Sequence, residues 1–201
     1  MSEGASGAVK IPDETVRGRL ELPLGDWRTL EGLRDSAVLA ILVEREGEDR
    51  LIFNRRRDDL PYHPGQICFP GGAREGQEDA VTCAVRETCE EMGLSAGDLE
   101  VLGRMPDRVS IAGFLVTPFV ARLRGTPDYR AAADEVAEVF EVPVRLLLDP
   151  ARWGFTETTH KRARFRRVPR FDSDDTHRIW GLTGIILRDF TTQVMGFAPS
   201  L

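Results

Sequence analysis

From Arg86 to Gly93 the chain reads RETCEEMG, which sets three glutamates, Glu87, Glu90 and Glu91, almost side by side. Carboxylates this close repel one another, and a helix that only meets solvent gains more from Glu alternating with Lys. On a helix Glu87 and Glu91 nearly eclipse each other, while Glu90 falls one turn after Arg86 and can pair with it. Two carboxylates are thus offered to one point, with a third steadied by an arginine. A hard divalent cation resolves the repulsion, because Mg²⁺ accepts one or two carboxylates, keeps several waters and takes its remaining ligands from phosphates. Val81, Val85, Thr88 and Met92 form an apolar stripe elsewhere on the same helix, so the glutamates are expected to face outward. The alternative reading of the same residues is a solvated acidic face.

Spacing upstream favours the cation. Gly72, five residues, Glu78, seven residues and then Arg86-Glu87-Thr88-Cys89-Glu90-Glu91-Met92-Gly93-Leu94 resembles the box of the Nudix family, G-x5-E-x7-R-E-U-x-E-E-x-G-U with U a bulky aliphatic. Every fixed position matches. Thr88 stands where the pattern prefers a bulky aliphatic, and its β-branched side chain can fill that place on the stripe.

The resemblance implies a Nudix-type α/β/α sandwich around a central mixed sheet. It also implies hydrolysis of a nucleoside diphosphate linked to another group, with Mg²⁺ or Mn²⁺ as cofactor. In that frame Glu87 and Glu91 are the principal metal ligands and the Gly72 carbonyl a third. Glu90 is a second ligand or a base positioned by Arg86, and Glu78 is an anchor paired with Arg86. The chemistry suits a pyrophosphate, whose clustered charge shields phosphorus from nucleophiles until cations neutralise it. A carboxylate base for the attacking water is still wanted. Glu135, Glu138 and Glu141 in DEVAEVFEV are the candidates, with Glu135 favoured because it precedes the strand and can reach inward.

The segment from Ile52 to Gly72 resembles the stretch that marks the coenzyme A pyrophosphatase subgroup, L-L-T-x-R-S-x-x-L-R-x-H-x-G-Q-x-x-F-P-G-G. The chain keeps Arg56, Leu60, His63, Gly65, Gln66 and FPGG, and departs with Asn54 for Thr, Arg57 for Ser and Pro61 for Arg. IWGLTGIIL at 179–187 is similar to another segment of that subgroup. The resemblance implies cleavage of CoA or its derivatives to 3′,5′-ADP and 4′-phosphopantetheine or its acyl form, with Arg56, His63 and Gln66 at the substrate. An arginine at 61 could contact a substrate phosphate. Arg55–Arg57, or the basic stretch Lys161, Arg162, Arg164, Arg166 and Arg167, could replace it. ADP-ribose, NADH or a nucleoside triphosphate is the alternative substrate. A non-catalytic nucleotide sensor would be expected to lose box carboxylates, and none is lost.

These residues need elements to hold them. SAVLAILVE (36–44) and RLIFNRR (50–56) read as a hairpin at the sheet centre, joined by the turn-like EREGED. Residues 58–77 form a long Gly- and Pro-rich loop whose apolar content favours order. A helix follows over 78–92 and stops at Gly93. Strands are expected at 99–105, 114–123 and 137–144, the last running into a short helix. A hairpin at 165–171 and 176–182 leads to a closing helix at 183–195. The plan is a loose N-terminal arm (1–35), with one or two short helices and a weak alternation of Leu20, Leu22 and Leu24, followed by one α/β domain (36–201).

Composition agrees with a globular protein of 201 residues, 41% hydrophobic and 30% charged. A net charge of −6 offers no general basic face for nucleic acid. Three cysteines without CxxC spacing argue against a disulfide framework or zinc knuckle. No apolar run suggests a signal peptide or membrane span, so a cytoplasmic protein with a small-molecule partner is expected. The resemblance allows a homodimer, to which the N-terminal arm could contribute.

Overall fold

The computed structural model describes residues 7–20, 23–24, 26–160 and 163–199. Residues 1–6 of the arm and Leu22 lie outside that set. What is described of the arm is docked rather than loose. Helix α1 (Asp13–Arg19) buries Val16 completely, and Ile11 and Leu20 join it in the core. A buried polar knot holds it there. The Ile11 N–H donates to Asp49 at 2.7 Å, and Arg122 donates to the Ile11 carbonyl, to Asp13 at 2.9 Å and to Asp49.

The two apolar runs fold as the expected hairpin, β1 (Arg34–Arg45) and β2 (Glu48–Arg56), with Leu42 opposite Leu51. Glu46 and Gly47 turn the chain with φ of 53° and 82°, the mirror-image turn whose twist suits antiparallel strands. Strand β1 is apolar on both faces because both faces are covered. Ala40, Leu42, Leu51 and Phe53 meet one core cluster, and Leu39, Ile41, Val43 and Ile52 meet the other.

The long loop is ordered and contributes two short strands, β3 (Ile67–Cys68) on β2 and β4 (Gly71–Ala73) on β1. Helix α2 (Ala80–Met92) follows, then β5 (Leu99–Arg104), β6 (Arg108–Val109), β7 (Phe114–Leu123) and β8 (Val136–Pro143). The main sheet runs β3-β2-β1-β7-β5, with β4 on β1, β6 on β7 and β8 on β2. It is mixed, since β1 and β7 are parallel, Arg34 opposite Phe114, while the other pairs are antiparallel.

Besides the short β3, β4 and β6, one full-length strand escaped the sequence reading. Trp153–His160 forms β9, which pairs with β10 (Ala163–Asp172), and β10 in turn pairs with β11 (Arg178–Trp180) in a second, three-stranded sheet. Helix α3 (Gly181–Gln193) closes the fold and starts two residues earlier than its periodicity predicts. Its Ile186, Leu187 and Phe190 enter the core on the face of β1 away from α2. Helices therefore cover both faces of the sheet. Each such fully buried side chain contributes about 1.5–3 kcal/mol. No helix among the described residues is long and apolar enough to cross a membrane.

Candidate active site

Helix α2 has defined ends. Asp79 accepts from the Thr82 N–H at 2.7 Å, and Gly93 stops the helix in the left-handed conformation, φ 67°. Its inward face differs from the one predicted. Ala80, Cys83, Ala84, Thr88, Glu91 and Met92 are buried, and Val81 and Val85 only partly. Small residues let α2 lie close to the sheet, and that rotates Glu91 inward. The expectation that the glutamates all face solvent is therefore corrected for Glu91, which is 6% exposed.

Both donors to Glu91 fall on one oxygen. Its Oε2 accepts from Asn54 Nδ2 at 2.8 Å and from the Gly71 N–H at 3.1 Å. Burial pushes this carboxyl up to about 7. The Gly71 N–H and the charge of Arg56 oppose that, and Glu87 and Glu135 reinforce it. Glu87 is also raised by burial, against the neighbouring Arg86 guanidinium at 3.1 Å.

The glycines of FPGG bring the loop against both carboxylates. A Cβ on Gly72 would stand 2.3 Å from Cδ of Glu87, and one on Gly71, φ 145°, would stand 2.2 Å from the Ala37 carbonyl oxygen. The Gly72 carbonyl, opposite Ala37 in the β1–β4 ladder, also accepts the weak thiol donor of Cys83, at 3.7 Å. Burial pushes the thiols of Cys68 and Cys83 up to about 12, so neither is a thiolate nucleophile.

Arg86 ties the loop to the helix. It donates to Glu78 from Nε at 3.0 Å and from Nη2 at 2.8 Å, and to the Ala73 carbonyl at 3.3 Å. These bonds hold the Glu78 carboxyl down at about 2. Trp27 reinforces the loop from outside, donating its indole N–H to the Glu78 carbonyl at 2.8 Å. Glu90 pairs with Arg86 at 3.0 Å and is more than half exposed. This is the pairing one turn apart that the sequence predicts for Arg86 and Glu90.

Segment 130–135 packs across the end of α2. The N–H groups of Arg130 and Ala132 donate to the carbonyls of Met92 and Glu91, at 2.8 and 2.9 Å. This carries Glu135 to within 3.7 Å of Arg56, and the charges of both are felt at Glu91. The other two base candidates are engaged elsewhere. Glu138 faces Arg55 and His177, while Glu141 takes bidentate bonds from Arg45 and one from Tyr129.

His63 and Gln66 bond to each other at 3.0 Å, on a loop where His63 is exposed with φ 55°. They are not joined to the glutamates by any described contact. Arg55 pairs with the exposed Asp58 and Arg57 with the exposed Asp59. Lys161 and Arg162 lie outside the described residues. Arg164 pairs with Glu157, and the Arg167 guanidinium lies over the Phe155 ring.

The sequence reading missed two contributors. Asn54 was a mere departure from a motif there, and His177 carried no motif at all. The latter bridges Asp174 at 2.8 Å and Glu138 at 3.3 Å, and stacks on Phe140.

The donor set at Glu87 and Glu91 suits a hard divalent cation. It comprises two carboxylates and the Gly72 carbonyl, and the residue bound to Glu91, Asn54, holds a buried Oδ1 that has no hydrogen-bond partner. Among the described residues no three His, Cys, Asp or Glu converge on one point. The protein would thus supply few ligands and leave the rest to water and phosphate oxygens, the habit of Mg²⁺.

A family model described as the NUDIX domain matches residues 33–161. The chain belongs to the Nudix family. It is 31% identical over 200 residues to "Uncharacterized Nudix hydrolase NudL" of Citrobacter koseri, covering 94% of this chain and 97% of that one. With "Nudix hydrolase 3" of Caenorhabditis elegans it shares 33% over 174 residues, 78% of this chain and 71% of that one. Among solved structures, the MutT/nudix family protein from Enterococcus faecalis superposes with a TM-score of 0.51 at 16% identity, over 85% of this chain and 70% of that one. That likeness shows the Nudix fold. As a Nudix hydrolase the chain is an enzyme of phosphorus-containing anhydrides that acts on nucleoside diphosphate derivatives, in a family that generally uses divalent metals.

Proposed function

We propose that this Nudix hydrolase cleaves the diphosphate of coenzyme A or its derivatives to 3′,5′-ADP and 4′-phosphopantetheine or its acyl form. The carrying observation is that the segment resembling the CoA subgroup is built into the site itself. Arg56 sits with Glu135 within electrostatic reach of Glu91, and the FPGG glycines lie against Glu87 and Glu91. Mg²⁺ or Mn²⁺, once bound, would neutralise the diphosphate and acidify a water. Glu87, Glu91 and the Gly72 carbonyl would hold that ion. Glu135 accepts the proton of the attacking water, and Arg56 orients it. Glu90 and Arg86 keep the helix and loop in register, and Arg56, His63 and Gln66 meet the substrate. The expected setting is the cytoplasm.

The second reading is another nucleoside diphosphate derivative, such as ADP-ribose or NADH. Pro61 favours it, because the subgroup motif carries an arginine there and Arg55 and Arg57 are engaged with Asp58 and Asp59. The test is a side-by-side screen of CoA, acetyl-CoA, ADP-ribose, NADH and nucleoside triphosphates with Mg²⁺ and with Mn²⁺, followed by chromatography. CoA preference with release of 3′,5′-ADP is expected. Preference for any other substrate rejects the CoA reading.

A further inference from the structure

We propose that Asn54 is a positioning residue of the cation site. Its amide N–H fixes which oxygen of Glu91 faces the ion, and its carbonyl oxygen accepts a hydrogen bond from an ion-bound water. The inference rests on the reading of Glu87 and Glu91 as cation ligands.

Asn54 shares a face of β2 with Ile52, which packs in the cluster beneath α2, so an apolar residue would be the default there. Instead an amide only 1% exposed occupies the place. A buried amide is unfavourable unless both ends are satisfied. One end is: Nδ2 donates to Glu91 Oε2 at 2.8 Å, and the reverse orientation would set two acceptors face to face. The Gly71 N–H adds a second donor to that same Oε2, which leaves Oε1 for the ion.

The other end, Oδ1, has no hydrogen-bond partner. It hangs from the same carbon as the nitrogen bound to Glu91. A water held by a divalent cation is a strong donor, and its arrival would satisfy that oxygen. Partners of this outer kind orient ligands and set affinity, typically by 10–100-fold. Threonine, which the subgroup motif carries at this position, offers a hydroxyl that can donate in the same way.

The test compares Asn54→Thr with Asn54→Val, two β-branched strand formers of the same shape that differ by one hydroxyl. Mn²⁺ is titrated into substrate-free protein and the free ion read by electron paramagnetic resonance. Asn54→Val should bind Mn²⁺ at least about tenfold more weakly than Asn54→Thr, with kcat reduced more than KM is raised. Wild-type affinity in Asn54→Val would overturn the role of Asn54 while leaving the cation site standing. A wild-type protein that binds no Mn²⁺ would overturn both. Mn²⁺ binding with no CoA turnover would reject only the substrate assignment.

Discussion

Replacing Glu78 by Gln keeps the size of the side chain and removes its charge from the clamp on Arg86. In the native protein that carboxylate takes two bonds from the guanidinium, at 2.8 and 3.0 Å, and one from the Glu75 N–H at 2.7 Å. Hydrogen bonding to Arg86, against the opposing pull of burial, holds its carboxyl at about 2 rather than the usual 4.5. At about 1.36 kcal/mol for each tenfold, that difference is worth about 3 kcal/mol. Solvent at the exposed edge trims it to about 2 kcal/mol. The folded value is depressed, so the stabilisation is fully present above pH 4.5 and is lost as pH falls through 2. Urea unfolding at steps from pH 7 down to pH 3 should show Glu78→Gln about 2 kcal/mol less stable at neutrality, with the gap to wild type closing on acidification. A gap that stayed constant across that range, or one under about 0.5 kcal/mol at pH 7, would show that charge does not hold the loop to the helix.

Other perturbations give distinct outcomes. Gly72→Ala would push a methyl into Glu87 and should lower kcat by on the order of 10²-fold, with little change in unfolding midpoint, checked by steady-state kinetics and thermal melts. Arg122→Met would strand Asp49, which is 0% exposed, and should cost about 3–5 kcal/mol in urea unfolding. For His177, burial pulls the ring down, but its bonds to Asp174 and Glu138 outweigh that and raise it above 6.5. Its stabilisation is therefore present below pH 6.5 and lost as pH rises through the folded value, and an NMR titration of the ring should give a midpoint above 6.5.

Much of this architecture is legible in the sequence, and the failures share physical causes. The hairpin of β1 and β2 was readable because an apolar run buried on both faces resists any other interpretation. The box spacing placed Glu78, Arg86 and Gly93 because each answers a local demand of a loop–helix junction. The burial of Glu91 was not readable from large aliphatics alone. The small residues Ala80, Cys83 and Ala84 set how closely α2 approaches, and they carry little weight in a pattern of bulk. Strand β9 was missed because WGFTETTH mixes aromatic and polar residues on the edge of the three-stranded sheet. Asn54 looked like a motif departure because its partner lies 37 positions away in the chain. Nothing local announces such a contact.

The parallel pairing of β1 with β7 has a consequence for how the protein assembles. Strand β1 finds that neighbour only when residues 114–122 have been made and brought back. The loop, α2 and all the box residues lie inside the intervening stretch. Closing so long a loop is entropically slow, so the rate of folding should be governed by this non-local pairing rather than by the helix. The carboxylates would then be juxtaposed only after the barrier is crossed, with φ-values near zero at Glu87 and Glu91. An ion that binds there would leave the refolding rate nearly unchanged and act almost wholly by slowing unfolding. Catalytic readiness and kinetic persistence would thus be acquired in the same late step.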